Sequence, residues 1–227
     1  FDQDRWVLYN LEADFSQAHD LASRYPGKLA EMKREFDQQA RLNDVYPLGN
    51  YMEGADHGAP TVAGDRKQFE FVPPLPRLPA KSLPRLPRNS FVLTAEVEIP
   101  ATGAEGMLAA YGSRLGGFAW YVRNGRVMFA NNVYGRQRQV LSSGAIVPSG
   151  RVVLRLAFKK DKDDKAGGTA RLYIGERLVG ERHIEKLGSS VLGSFGVGQA
   201  YTSPISDDYA LPFAFSGTLR RLELSIQ

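Results

Sequence analysis

The chain has 227 residues, 43% of them hydrophobic and 24% charged, which is enough for one large or two small packed domains with an ordinary core. It contains no cysteine, so disulfides, thiolate nucleophiles and cysteine-based zinc sites are excluded. Its formal charge of +4 (29 basic against 25 acidic residues) is too small over this length to indicate nucleic acid, and no apolar run approaches the ~18 residues of a membrane-spanning helix.

Residues 1–48 read as helical and charged. After Tyr25-Pro26-Gly27, the segment KLAEMKREFDQQARL puts Leu29, Met32, Phe36 and Leu42 at roughly helical spacing, with charges on the other face. Pro26 suits the first turn of that helix. The helix is short and amphipathic, so it is expected to need a surface to pack on.

Residues 49–89 read as an extended, proline-rich strap. Six prolines lie between Pro73 and Pro87, and they favour a polyproline-like path with few backbone donors. Pro76, Pro79 and Lys81 match a generic SH3-ligand spacing, but a stiff spacer along a domain surface accounts for them without a partner.

Residues 90–227 read as all β. FVLTAEVEI alternates Phe91, Leu93, Ala95, Val97 and Ile99 against polar neighbours. FAWYVRNGRVMFANN holds two strands about Asn124-Gly125, the strongest short hairpin signal. RVVLRLAFKK alternates again, KDKDDKAGG reads as a solvated loop, and TARLYIGERLVGERHI as a further hairpin. GSFGVGQ and FSGTLRRLELSI complete a set of at least seven or eight strands. The expected fold class is mainly β: an antiparallel two-sheet sandwich, jelly-roll or concanavalin-like, with a closed barrel as the alternative.

Two stretches resemble known proteins. Trp6-Val7-Leu8-Tyr9-Asn10-Leu11, followed by Asp14-Phe15-Ser16-Gln17-Ala18-His19-Asp20-Leu21-Ala22, resembles the C-terminal block of bacterial arylsulfatases. Asn89-Ser90-Phe91, Thr94 to Pro100, Gly116-Gly117-Phe118, Tyr121-Val122, Asp208-Tyr209 and Phe215 to Thr218 resemble a concanavalin- or laminin-G-like sandwich carried after that block. The resemblance implies a parent sulfuric ester hydrolase that uses formylglycine and calcium. It also implies that this chain is the non-catalytic end, because the formylglycine motif [CS]-x-P-x-R has no match here. In Ser82-Leu83-Pro84-Arg85-Leu86 the arginine falls one residue early. The implied partners are that catalytic domain, a glycan or sulfated substrate, and further copies of the chain; the resemblance implies a bacterial protein and leaves periplasm and cytoplasm both open. Trp6 and Tyr9 are expected to lack contacts, and Tyr51–Asp65 to approach the catalytic domain.

No catalytic constellation is evident. His19, His57 and His183 are scattered. Asp207 and Asp208 are the weak candidates for a calcium-binding turn. The aromatic and basic residues Trp120, Tyr121, Arg123, Tyr134, Arg136 and Arg138 are the candidates for a glycan patch, through stacking and guanidinium pairing. Three roles therefore stand side by side: support of a sulfatase catalytic domain, lectin-like glycan binding, and protein assembly.

Overall fold

A computed structural model describes residues 5–46, 48, 62–79, 82–162, 167–189, 193–200 and 203–227. The chain divides into two compact units, Phe1–Ala59 and Pro60–Gln227. His57, the loop at 163–166 and most of Tyr51–Asp65 lie outside the described residues.

In the first unit, helix α1 spans Pro26–Leu42 and begins at Pro26 as the sequence suggests. The coil before it is organised by carboxylates and an amide. The Asn10 Oδ1 accepts from the N–H groups of Glu12 (3.1 Å) and Ala13 (3.3 Å). Asp14 accepts from the N–H groups of Ala18 (3.2 Å) and His19 (2.8 Å), and Asp20 from those of Leu8 (3.1 Å) and Ala22 (2.9 Å). Such side-chain acceptors close turns that the backbone alone leaves unsatisfied. Trp6 packs edge-on to Phe36 of α1 at 5.5 Å, with the Lys33 ammonium 5.4 Å from the indole. Among the described residues of this unit, the buried apolar side chains are only Ala22 and Ala40. Trp6 is 42% exposed, Leu11 57% and Phe15 89%, whereas Tyr9 is half-buried.

The second unit is the sandwich. Its strands are β1 (Gln68–Phe71), β2 (Leu75–Pro79), β3 (Phe91–Ile99), β4 (Gly106–Ser113), β5 (Gly116–Arg123), β6 (Arg126–Val133), β7 (Gln137–Ile146), β8 (Gly150–Lys160), β9 (Gly168–Ile174), β10 (Arg177–Ile184), β11 (Ser194–Val197) and β12 (Thr218–Ile226). They form two six-stranded antiparallel sheets, in the orders β1-β12-β3-β8-β9-β10 and β2-β11-β4-β5-β6-β7. The two-sheet reading holds, and the barrel alternative does not.

The core follows from pleat and alternation. Every second residue of β3 is buried, from Phe91 to Ile99, and Leu154, Leu156 and Phe158 of β8 and Leu222 and Leu224 of β12 join them. The facing sheet contributes Phe118, Trp120 and Phe129, with Phe91 stacked between Phe118 (5.5 Å) and Phe158 (5.6 Å). Each fully buried Leu or Phe contributes roughly 1.5–3 kcal/mol over an exposed one, so this cluster dominates the unit's stability. The outer face of the first sheet is a lattice of ion pairs instead: Arg220–Glu98, Arg221–Glu96 and Arg171–Glu181 among them.

Four strands were not legible in the sequence. β4, like β5, is buried over almost its whole length, so it shows an apolar run instead of an alternation. β7 is an edge strand with mostly exposed side chains. β1 and β2 come from the stretch read as a proline-rich strap, which supplies one edge strand of each sheet: β1 pairs with β12, and β2 with β11.

Candidate functional site

The outer face of the second sheet is where chemistry-bearing side chains gather. On β5 the pleat sends Phe118, Trp120 and Val122 inward, and Ala119, Tyr121 and Arg123 outward. The segment 203–217 crosses that outer face and covers Tyr121 with Ile205, Tyr209 and Phe213. Tyr121 lies 5.2 Å from Tyr209, and Tyr209 stacks on Phe213 at 5.1 Å.

The Tyr121 hydroxyl donates to Asp208 Oδ2 at 2.5 Å, and the Tyr209 hydroxyl accepts from the Ile205 N–H at 3.0 Å. Burial, and then the Asp208 hydrogen bond, push the Tyr121 phenol far above its ordinary value. Burial raises Tyr209 to about 12. Both are therefore neutral donors or acceptors at any physiological pH.

Asp207 and Asp208 turn to different partners, the first to Arg138 in a close ion pair and the second to Tyr121. Among the described residues no three acidic or histidine side chains gather as a metal site would require. His19 sits 3.3 Å from Asp14 in the first unit, and His183 3.0 Å from Asp161 at the edge of the sandwich, each as an isolated surface pair.

A second arrangement lies at the end of this sheet where β6 meets β7. Asn131 and Asn132 are consecutive and only 2% and 0% exposed. The Asn132 amide donates to the carbonyls of Arg114 (3.0 Å) and Ile205 (3.1 Å), and its oxygen accepts from the Gly135 N–H (2.8 Å). Asn131 donates to the Lys186 carbonyl (3.0 Å) and accepts from the Gly188 N–H (2.8 Å). Two buried amides thus fix four connections to one another: the β4–β5 turn, the β6–β7 turn, the 185–189 loop and the 203–217 segment. A buried polar network with its members satisfied is rigid, because each broken bond strands a desolvated group.

At the tip of the β6–β7 turn stands Tyr134. Its backbone is left-handed (φ 53°), as is that of Gly135 (φ 71°), and the Arg136 N–H closes the turn on the Val133 carbonyl at 3.0 Å. Glycine is the ordinary occupant of such a conformation, whereas an aromatic residue there is strained by roughly 1 kcal/mol or more. The ring is 63% exposed, and the Lys186 ammonium lies 5.5 Å from its centroid. A strained, exposed aromatic side chain on a rigid base is the kind of outlier from which a binding role is argued.

The six glycan-patch candidates therefore separate. Trp120 is fully buried between the sheets, so its ring offers no face to a ligand. Tyr121 is buried beneath the 203–217 segment, and Arg123 is half-buried on the same outer face. Tyr134, Arg136 and Arg138 stay together at the β6–β7 end, Arg138 already paired with Asp207. The sequence reading missed Arg114, Lys186 and the two asparagines. The signal for the last was present: Asn-Asn inside a strand pattern is unfavourable unless the amides are used.

At the opposite end of β5 and β6, a cleft of about 350 Å³ opens between the sheets beside Ile99, Ala104, Val122, Ile146 and Val147; no charged side chain lines it.

The fold defines a two-sheet antiparallel β-sandwich. No protein-family model matches the sequence, and no curated protein matches it. Among solved structures, it is similar to the CBM40 of a Ruminococcus gnavus IT-sialidase (16% identity, 70% of this chain and 90% of that one, TM-score 0.47); a second structure of that CBM40 holds α2,6-sialyllactose. It is also similar to the laminin α1 LG4-5 domains of mouse (9% identity, 71% and 39%, TM-score 0.44) and to a pentraxin of Limulus polyphemus (16% identity, 72% and 70%, TM-score 0.40).

Proposed function

We propose that the sandwich is a non-catalytic carbohydrate-binding module whose sugar site is the Tyr134 end of the second sheet. One observation carries this reading: an exposed aromatic ring held in a strained turn by a buried amide network. A flat, fixed ring packs against the C–H face of a pyranose, while neighbouring polar groups select among its hydroxyls. The test is calorimetric titration of the chain against neutral and charged oligosaccharides. Millimolar or tighter binding that Tyr134→Ala abolishes without moving the unfolding midpoint is expected. Wild-type protein that binds no sugar, or a Tyr134→Ala variant that binds as well as wild type, would sink the reading.

A second reading concerns the first unit, and a separate observation favours it. We propose that Trp6 to Ala22 is the closing block of an arylsulfatase-like subdomain in a longer protein, whose catalytic domain would bring the formylglycine and calcium. Support comes from the roles of the matched residues: Asn10, Asp14 and Asp20 each hold turns of this block together. Further support comes from the exposed Trp6, Leu11 and Phe15 on a unit that buries little apolar surface of its own. The gene sequence immediately upstream decides it. A [CS]-x-P-x-R motif within a few hundred codons is expected, and a different domain there would end this reading, as would aryl-sulfate turnover by the isolated chain.

A further inference from the structure

We infer that the Tyr134 site takes an anionic saccharide, one carrying a carboxylate or sulfate ester beside the ring that stacks on Tyr134. This rests on the sugar-site reading above and adds the class of ligand.

The argument is the placement of unpaired cations. On the outer face of the first sheet, Arg155, Arg171, Arg220 and Arg221 each meet a glutamate. At the Tyr134 end the pattern breaks. Arg138 is neutralised by Asp207. Among the described residues, Arg114, Arg136 and Lys186 pair with no carboxylate.

These three belong to connections that the asparagine pair ties together. The Arg114 carbonyl takes the Asn132 amide, and the Lys186 carbonyl takes that of Asn131. Arg136 follows directly on Gly135, whose N–H is held by Asn132. The backbone at Gly135 also approaches the Arg114 carbonyl, which would lie 3.9 Å from a Cβ there. Lys186 therefore stands over the exposed ring, and Arg114 and Arg136 are carried on the turns tied to the same end of the sheet. Guanidinium groups match the planar oxygens of carboxylates and sulfates in a two-point contact, and an ammonium adds a point charge. A neutral sugar would make no use of this excess charge. An anionic substituent would gain from it, in a manner that salt screens.

Lactose, sulfolactose and sialyllactose carry the same disaccharide with no charge, a sulfate ester and a carboxylate. Each is titrated into the full 227-residue chain at low and at high salt. At least one of the charged pair is expected to bind about tenfold or more tightly than lactose, with the advantage shrinking at high salt. Arg136→Ala and Lys186→Ala are each expected to remove most of that advantage, read as the ratio of charged-sugar to lactose affinity within the same variant; which charged sugar wins identifies the substituent. Equal affinity for all three would overturn this inference and leave the sugar-site reading standing. Failure of all three, with a neutral glycan of another backbone bound through Tyr134, would overturn it equally. No saccharide bound at all would bring down both. Inorganic sulfate displacing the charged sugar at equal concentration would overturn the inference by showing an anion site that does not read the sugar.

Discussion

Tyr134 concentrates the trade between stability and role at a single residue. Its left-handed backbone is tolerated because Asn132 holds the following N–H, and because Val133 and Arg136 close the turn. Asparagine adopts that conformation far more readily than tyrosine. Tyr134→Asn is therefore expected to raise stability by about 0.5–1 kcal/mol in denaturant unfolding while abolishing sugar binding. A destabilised variant would show that the ring, through Lys186, holds the turn. Tyr121 and Tyr209 make a different prediction from their raised phenols. The unfolded chain ionises both near pH ~10, but the folded sandwich keeps them protonated, so their contribution is full below ~10 and is lost as pH rises further. Ultraviolet titration should show both phenols resisting ionisation until the protein unfolds; normal, reversible titration of all tyrosines near 10 would contradict the buried pair.

Among the elements, the legibility of the sequence tracked exposure. Half-buried strands such as β3 and β8 announce themselves through alternation, and Asn124-Gly125 marks the β5–β6 hairpin because both residues take positive φ (50° and 67°). Strands covered on both faces lose that signature, which is why β4 was silent and why Trp120 and Tyr121, one residue apart, looked like one patch but face opposite ways. The site depends on contacts between residues far apart in sequence, such as Asn131 with Lys186, and no local pattern reports these. The 185–189 loop carries a specific expectation. A Cβ on Gly188 would lie 2.1 Å from the Asn132 carbonyl oxygen and 2.5 Å from that of Gly117, both immobile backbone. Gly188→Ala should therefore cost about 2–4 kcal/mol, with the loop displaced from β6. It should also weaken charged-sugar binding through Lys186. A neutral substitution would mean that the loop moves freely.

At the scale of the whole molecule, the two units rest on different physics. The sandwich holds a large aromatic and aliphatic core, whereas the first unit relies on one helix and on carboxylates that accept backbone N–H groups. Asp14 is held below the ordinary carboxylate range by the N–H groups of His19 and Ala18, and Asp20 by those of Ala22 and Leu8. A depressed folded pKa stabilises above the unfolded value near ~4 and is lost as pH falls through the lower folded one. Acid should therefore loosen the Leu8–Ala22 coil first, seen as faster amide exchange at Ala18, His19 and Ala22 below pH ~4 while the sandwich amides stay protected. Simultaneous loss of protection in both units would show that they unfold together.

The two strands drawn from residues 68–79 have a consequence for how the protein behaves in concentrated solution. β1 and β2 cap the exposed margins of the two sheets on one side of the sandwich, and Phe71 is clasped against Phe195 at 5.2 Å. Pro76 and Pro79 have no N–H to offer, so β2 is a poor template for an incoming strand. The same twelve residues that seal these margins thus keep copies of the sandwich from zipping together edge to edge, and cutting the chain between residues 60 and 75 would leave two open strand edges able to seed fibrils.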